Sequence, residues 1–278
     1  MSYKIIGDSC TDLPEKLKEN EHFCLVPLSI TIDGYTIIDD ETFNQKDFLE
    51  RMAASPNCPS SACPSPEDYM KLFHGEEDIF VVTLSSQLSG SYNSAVLAKN
   101  LYLEENPSKN IEIIDSRSAS VGQTLIAMKI QELAETKLSF SEIVRMANQF
   151  RDEMETLFVL ESLETLRKNG RLSGIKALIV NALNIKPIMV GTKTGEIDKA
   201  DQARGMNKAL VKMADIIEKN AVNAKNKVLA IAHCNNYERA LFVKDEILKR
   251  VSFKDVVIVD TAGISSLYAN DGGIIVCY

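Results

Sequence analysis

Residues 78–106, DIFVVTLSSQLSGSYNSAVLAKNLYLEEN, show in one stretch how this chain is built. Ile79 to Leu84 is an apolar run broken only by Thr83, as suits a strand buried on both faces. It gives way to Ser85, Ser86, Ser89 and Gly90, and then to a helix-forming segment. The plan recurs on either side. Ile5 and Ile6 precede Asp8, Ser9 and Thr11, and Thr11 or Asp12 is placed to cap a helix with Pro14 in its first turn. Ile111 to Ile114 lead to Asp115, Ser116, Ser118 and Ser120 before an apolar-periodic helix. Strand, polar loop and helix in repetition predict βαβ units: a parallel sheet with right-handed crossovers and helices on both faces. Ligands of such sheets sit beyond the carboxyl ends of the strands, so all three hydroxyl-rich loops are expected on one edge.

Between the first two units, residues 23–40 (FCLVPLSITIDGYTIIDD) read as two extended runs joined at Asp33-Gly34, a hairpin signal. Residues 55–70 (SPNCPSSACPSPEDYM) read as a proline-stiffened loop, with Ser65 as N-cap, Pro66 at the first helical position and Asp68 in the first turn. A capping box at Ser139 to Glu142 opens a helix running toward Glu155. Residues 157–197 then suggest a strand, a short helix, a Gly-Arg turn, an apolar helix and a strand ending near Gly191. Residues 226–250 suggest a strand and a helix, and residues 253–278 the final extended runs. The expected organisation is an N-terminal α/β domain over residues 1–155 and a second α/β domain over 156–278.

Composition narrows the function. Over 278 residues, 45% hydrophobic and 25% charged, the chain has the balance of a folded protein, and its net charge of −8 is the wrong sign for binding nucleic acid. Cysteines 10, 24, 58, 63, 234 and 277 form no CxxC and no zinc spacing, which fits free thiols in a reducing compartment. The opening MSYKIIGDSC lacks a signal peptide's apolar core, and no stretch reaches the length of a membrane span. A cytoplasmic protein is expected, in contact with membranes only transiently and at their surface.

Catalytic signatures are sparse. GxSxG, GxGxxG and the P-loop are absent, and the one SxxK match, Ser173 to Lys176, is a pattern that chance supplies easily. His22, His74 and His233 show no metal-ligand spacing, so no metal and no cofactor is expected. His233-Cys234 follows the strand VLAIA without a third orienting group, and the acidic pairs Asp39-Asp40 and Glu76-Glu77 read as solvated turns. What stands out is hydroxyl density at strand ends. Hydroxyls and free N–H groups at a helix N-terminus suit a carboxylate or a phosphate. Helix capping explains any one of these serines, but Ser85, Ser86, Ser89 and Ser91 together exceed what one cap requires. In KNGRLSG, Gly170 and Arg171 form a turn that either presents a guanidinium to an anion or simply closes a helix.

Six segments in order resemble the DegV family of bacterial fatty-acid-binding proteins: DSCTDLP (8–14), SSACPSPEDY (60–69), SSQLSGSYNSA (85–95), DSRSASVG (115–122), LESLETLRKNGRLS (160–173) and LNIKPIM with the following GEI (183–197). The resemblance implies a two-domain fold holding one long-chain fatty acid in an interior tunnel. It also implies that the acid's carboxylate is presented to a separate ATP-dependent fatty acid kinase, which makes acyl phosphate for phospholipid synthesis. The family's carboxylate-contacting hydroxyls fall on Ser61, in the loop reading SACPS, and on Ser89, with Gly90 beside it. Ser85, Ser86, Ser9 and Ser116 would support these loops, and Arg171 matches the family's arginine at the head-group or kinase side. The chain departs from the pattern at Ala62, where the usual second hydroxyl is missing, and at YANDGG (268–273), where the family's HxGPG histidine is absent. Two other readings use the same loops: a phosphotransferase-type enzyme, and a regulatory paralogue with a degenerate pocket.

Overall fold

The computed structural model describes residues 2–172 and 184–278. The apolar runs β1 (Tyr3–Asp8), β6 (Asp78–Thr83) and β7 (Ile111–Asp115) lie side by side with β2 (Phe23–Val26) in a parallel sheet of order β2-β1-β6-β7. Ile79 to Val82 are fully buried because both faces are covered. One face packs on α3 (Pro66–Met70) and α4 (Ser91–Glu105), through Tyr69, Phe73 and Ala95. The other packs on α5 (Val121–Ala134), and α6 (Phe140–Glu153) lies behind that helix. Parallel pairing puts the loops after β1, β6 and β7 on one edge, as the repeated plan demands.

Four features of this half differ from what the sequence predicts. Glu15 to Lys18 form a single-turn helix, α1, with Pro14 at its N-cap, so neither Thr11 nor Asp12 caps it. Residues 23–38 make three strands rather than two extended runs. β2 joins the large sheet, while β3 (Ser29–Ile32) and β4 (Tyr35–Ile38) form the hairpin around Asp33-Gly34. Both turn residues have positive φ, 50° and 80°, as a type I′ turn requires. The proline-rich loop contains a short strand, β5 (Ser60–Ala62), which completes a three-stranded sheet against β3. Asp39 is 3% exposed rather than solvated. Between these pieces lies α2 (Gln45–Ala54), N-capped by Asn44.

From Thr156 onward every described strand belongs to one mixed sheet of order β10-β9-β8-β13-β11-β12. Its strands are β8 (Thr156–Val159), β9 (Ile185–Gly191), β10 (Ile197–Arg204), β11 (Val228–His233), β12 (Asp255–Asp260) and β13 (Ile274–Cys277). Helix α7 (Glu164–Lys168) follows β8, while α8 (Met206–Asn220) and α9 (Tyr237–Leu248) cover the outer face. The expected apolar helix, and the Ser173 to Lys176 match, fall outside the described residues. The extended stretch expected after residue 253 is interrupted by a helix, α10 (Gly263–Ala269), which leaves its own sheet and packs Ile264 and Leu267 against Leu28, Ile30 and Phe48. Helix α5 is sandwiched in turn: Ile126, Ala127 and Ile130 share one core with Phe80 and Val82 of the first sheet and Ala230 and Ala232 of the second. Most of its circumference is buried, with Lys129, Gln131 and Glu132 left on the outer side, as suits such a position.

Candidate functional site

The polar edge is organised by three buried carboxylates. Asp8, ending β1, accepts from the backbone N–H of Leu84 at 2.7 Å and from Gln123 Nε2 at 2.9 Å, which ties the ends of β1 and β6 to α5. Asp39 accepts from Ser9 Oγ at 2.8 Å and from the backbone N–H groups of Gly263 and Ile264 at 2.7 and 2.9 Å, so it fills the N-terminal end of α10. Asp12 accepts from Ala262 N at 2.7 Å and from Ser120 Oγ at 2.5 Å. Burial pushes the Asp12 carboxyl up to about 7 and that of Asp39 up to about 6, against the lowering effect of those hydrogen bonds, and it raises Asp8 as well. Asp12 and Asp39 thus tie the start of α10 to the first half of the chain.

Beyond that edge is a cavity open to solvent on one side, whose empty space, part of it open solvent, is about 750 Å³. Its walls come from both halves of the chain: Leu84, Leu88 and Ala119 from the first, Phe158, Leu160, Ile197 and Ile275 from the second, and Ile264 and Tyr268 from α10. The hydroxyls in the walls are already paired. Ser118 Oγ lies 2.7 Å from Thr156 Oγ1, Ser120 donates to Asp12, and Ser265 Oγ sits 3.7 Å from Cys10 Sγ. Arg117 also borders the cavity, but its guanidinium donates to Asp152 Oδ1 at 3.0 Å.

Near one end, three segments distant in sequence come together. Ser61 Oγ is 3.0 Å from Tyr268 OH, and the Arg171 guanidinium lies 5.8 Å from the centre of the Tyr268 ring. Arg171 is anchored by donating from Nε to the Leu88 carbonyl at 3.1 Å and from Nη1 to the Asn169 carbonyl at 2.5 Å. Asn169 in turn donates to the Pro59 carbonyl at 3.0 Å, just before the strand that carries Ser61. On the other side, Ser94 Oγ donates to the Pro64 carbonyl at 2.6 Å, and a Cβ on Gly90 would stand 2.9 Å from Cys63 Sγ, so the loop after β5 fits against a bare glycine at the start of α4.

The predicted residues therefore separate into two groups. Ser61 meets Tyr268, Gly90 fits against Cys63 of the loop after β5, Arg171 reaches the Leu88 carbonyl, and Ser89 Oγ accepts from Ser91 N at 3.2 Å; of these four only Arg171 is in the cavity wall. The other four hydroxyls are committed to the protein. Ser85 donates to the Gly195 carbonyl at 2.6 Å, Ser86 to Asp115 at 2.6 Å, Ser9 to Asp39, and Ser116 to the Ser118 carbonyl at 3.0 Å. They shape loops rather than line the cavity. Burial pushes the Cys234 thiol up to about 11, which removes the thiolate a nucleophile needs. Sequence reasoning missed Tyr268, which lies within a seven-residue helix too short to show a period.

A family model described as "Uncharacterised protein, DegV family" matches residues 2–278. A DegV domain-containing protein of Streptococcus pneumoniae is 36% identical over 281 aligned residues, covering 100% of this chain and 99% of that one. Among solved structures, a DegV-family protein from Ruminococcus gnavus, refined with vaccenic acid, superposes with a TM-score of 0.97 at 52% identity, covering 100% of both chains. The Fatty Acid Kinase (Fak) B3 protein of Streptococcus pneumoniae, loaded with linoleic acid, superposes with a TM-score of 0.90 at 35% identity, covering 100% of this chain and 99% of that chain. With the family model matched across nearly its whole length and relatives aligned end to end, this chain belongs to the DegV family.

Proposed function

We propose that this chain binds one long-chain fatty acid in the cavity and presents its carboxylate to a separate fatty acid kinase, without catalysing a reaction itself. The observation that carries the reading is an apolar cavity shared by both halves of the chain, with the Ser61, Tyr268 and Arg171 cluster at its edge. Burying about 15 methylenes at about 0.8 kcal/mol each contributes on the order of 12 kcal/mol before the losses of association. The carboxylate would be expensive to desolvate unless hydrogen-bonded, and hydroxyls at the polar end suit it. Ser61, Ser89 and the backbone at Gly90 form the head-group region in this reading, and Ser85, Ser86, Ser9 and Ser116 keep its loops in place. The cavity then lies at the junction of two domains divided near residue 155, and Arg171 stands between head group and kinase. Among the described residues no helix is long and apolar enough to cross a membrane, and in this reading the acid is exchanged through transient contact with a membrane surface.

Mass spectrometry of a solvent extract of freshly purified protein should release a long-chain acid. The isolated chain should turn over no ATP, and acyl phosphate should appear only when a fatty acid kinase is added. Extracts empty across several expression conditions, or acyl phosphate made by this chain alone, would overturn the reading.

A further inference from the structure

We propose that Ser118 and Thr156 form a second polar subsite in the cavity, one that accepts a hydroxyl group carried by the acyl chain remote from its carboxylate. The inference rests on the fatty-acid reading above and extends its ligand class to hydroxy fatty acids.

Position is the first argument. Both residues are buried and line the cavity, whose apolar lining comes from Leu, Ile, Phe and Ala side chains. Ser118 belongs to the loop after β7 and Thr156 opens β8, with Gly191 at the end of β9 beside them. The Ser61 and Tyr268 contact is built from other elements, β5 and α10. An acid whose carboxylate is held there has only its chain left to meet Ser118 and Thr156.

The second argument counts protons. A hydroxyl gives one proton and accepts through two lone pairs. Ser118 Oγ and Thr156 Oγ1 are 2.7 Å apart, and Thr156 Oγ1 also accepts from Cys277 Sγ at 3.4 Å. If Ser118 donates to Thr156, the Thr156 proton has no partner among the described residues. If Thr156 donates instead, the Ser118 proton has only the Ala119 carbonyl at 3.5 Å, at the limit of a hydrogen bond. One proton is spare either way. Ser120 differs, because its proton goes to Asp12, and Ser265 lies beside the same carboxylate.

Charge selects the class of oxygen. Arg117 also borders the cavity, but it donates to Asp152 Oδ1 at 3.0 Å and to the Lys193 carbonyl at 3.3 Å, and Asp152 takes Arg151 as well. A second carboxylate would find this positive charge already met. A neutral hydroxyl fits better, since it accepts the spare proton and returns its own to a remaining lone pair. Access is left open by Gly191, where a Cβ would stand 3.3 Å from Thr156 Cβ.

The test measures binding of ω-hydroxylauric, ω-hydroxypalmitic and ω-hydroxystearic acids, each against its unsubstituted parent, and reads the ratio of the two affinities, in which a general loss of binding cancels. Wild type should bind at least one hydroxy acid within about threefold of its parent, because the subsite replaces the water the hydroxyl gives up. Thr156→Val keeps the side-chain shape and removes the hydroxyl, and for that acid the ratio should fall by about tenfold or more. Thr156→Ser should keep the wild-type ratio, and Ser118→Ala should lower it, which preserves the test if Thr156→Val folds poorly. Wild type that binds every hydroxy acid more weakly than that limit overturns the proposal. So does a ratio that is unchanged or raised in Thr156→Val and Ser118→Ala, the raised case meaning that the carboxylate itself lies at this pair. Wild type that binds neither kind of acid refutes the fatty-acid reading, a distinct result.

Discussion

Asp39 is the residue whose surroundings its neighbours in sequence conceal most completely. Asp39-Asp40 after a hairpin reads as solvent-facing, yet Asp39 is buried by Gly263 and Ile264, which lie 224 and 225 positions further along. Ser65 and Asp68, by contrast, were legible, because a capping box is written within four consecutive residues. The buried carboxylates also carry a pH dependence whose sign follows from burial. A folded-state pKa raised to about 7 at Asp12 and about 6 at Asp39 means that the native state binds protons more readily than the unfolded chain between pH 4 and 7. Their contribution to stability is therefore present at low pH and lost as pH rises through 6 to 7, with a slope of up to about 1.4 kcal/mol per pH unit for each proton. Asp12→Asn cannot ionise, so its stability relative to wild type should increase from pH 5 to pH 8. Urea midpoints at four pH values would show this, and a difference independent of pH would exclude the burial effect.

At the scale of elements, hydrophobic continuity decided what could be read. β6 announces itself because a strand covered on both sides is apolar along most of its length, and β1 and β7 do so through the apolar pairs Ile5-Ile6 and Ile113-Ile114 ahead of polar loops. β10 (IDKADQAR) does not, since it is an edge strand whose residues alternate between exposed and half-buried, and α10 (GISSLYA) is too short to establish a period. Helix α5 was legible as a helix, but its burial between two sheets was not. That position makes Ile126, fully buried in the shared core, sensitive to truncation: Ile126→Ala should destabilise the protein by about 2–5 kcal/mol in chemical denaturation. The contact between the β5 loop and the first turn of α4 gives a different kind of prediction. A methyl at Gly90 would meet Cys63 Sγ at 2.9 Å, and Cys63 is exposed enough to give way. Gly90→Ala should thus change stability by less than about 1 kcal/mol, while displacing the strand that carries Ser61 and weakening fatty-acid binding. Cys63→Ala in the same chain should restore much of the affinity, whereas a double variant as weak as Gly90→Ala alone would show that the glycine acts in some other way.

For the whole molecule, the cavity is a consequence of how two sheets meet, and this level of organisation was least visible beforehand. The three repeated units gave the first sheet and the edge where its loops gather, but the tunnel and its head-group end were expected only through resemblance. The reason is physical. The walls combine Leu84 and Leu88 with Phe158, Leu160 and Ile275 and with an α10 that crosses back to the first half, and no local period encodes contacts so far apart. It also follows that a ligand filling this space touches every layer at once, so its removal should weaken the molecule as a whole rather than one loop. A ligand held at 100 times its Kd adds about 2.7 kcal/mol to the folded state. Protein stripped of lipid should therefore melt several degrees below the protein as purified, and adding back a long-chain acid should restore the higher transition. Hydrogen exchange should place the loss of protection in α10 and around Leu84 and Leu88, because both segments contribute to the cavity wall. An unchanged melting temperature after verified delipidation would mean that the cavity walls pack equally well without a guest, and that the space between the sheets is not where the lipid resides.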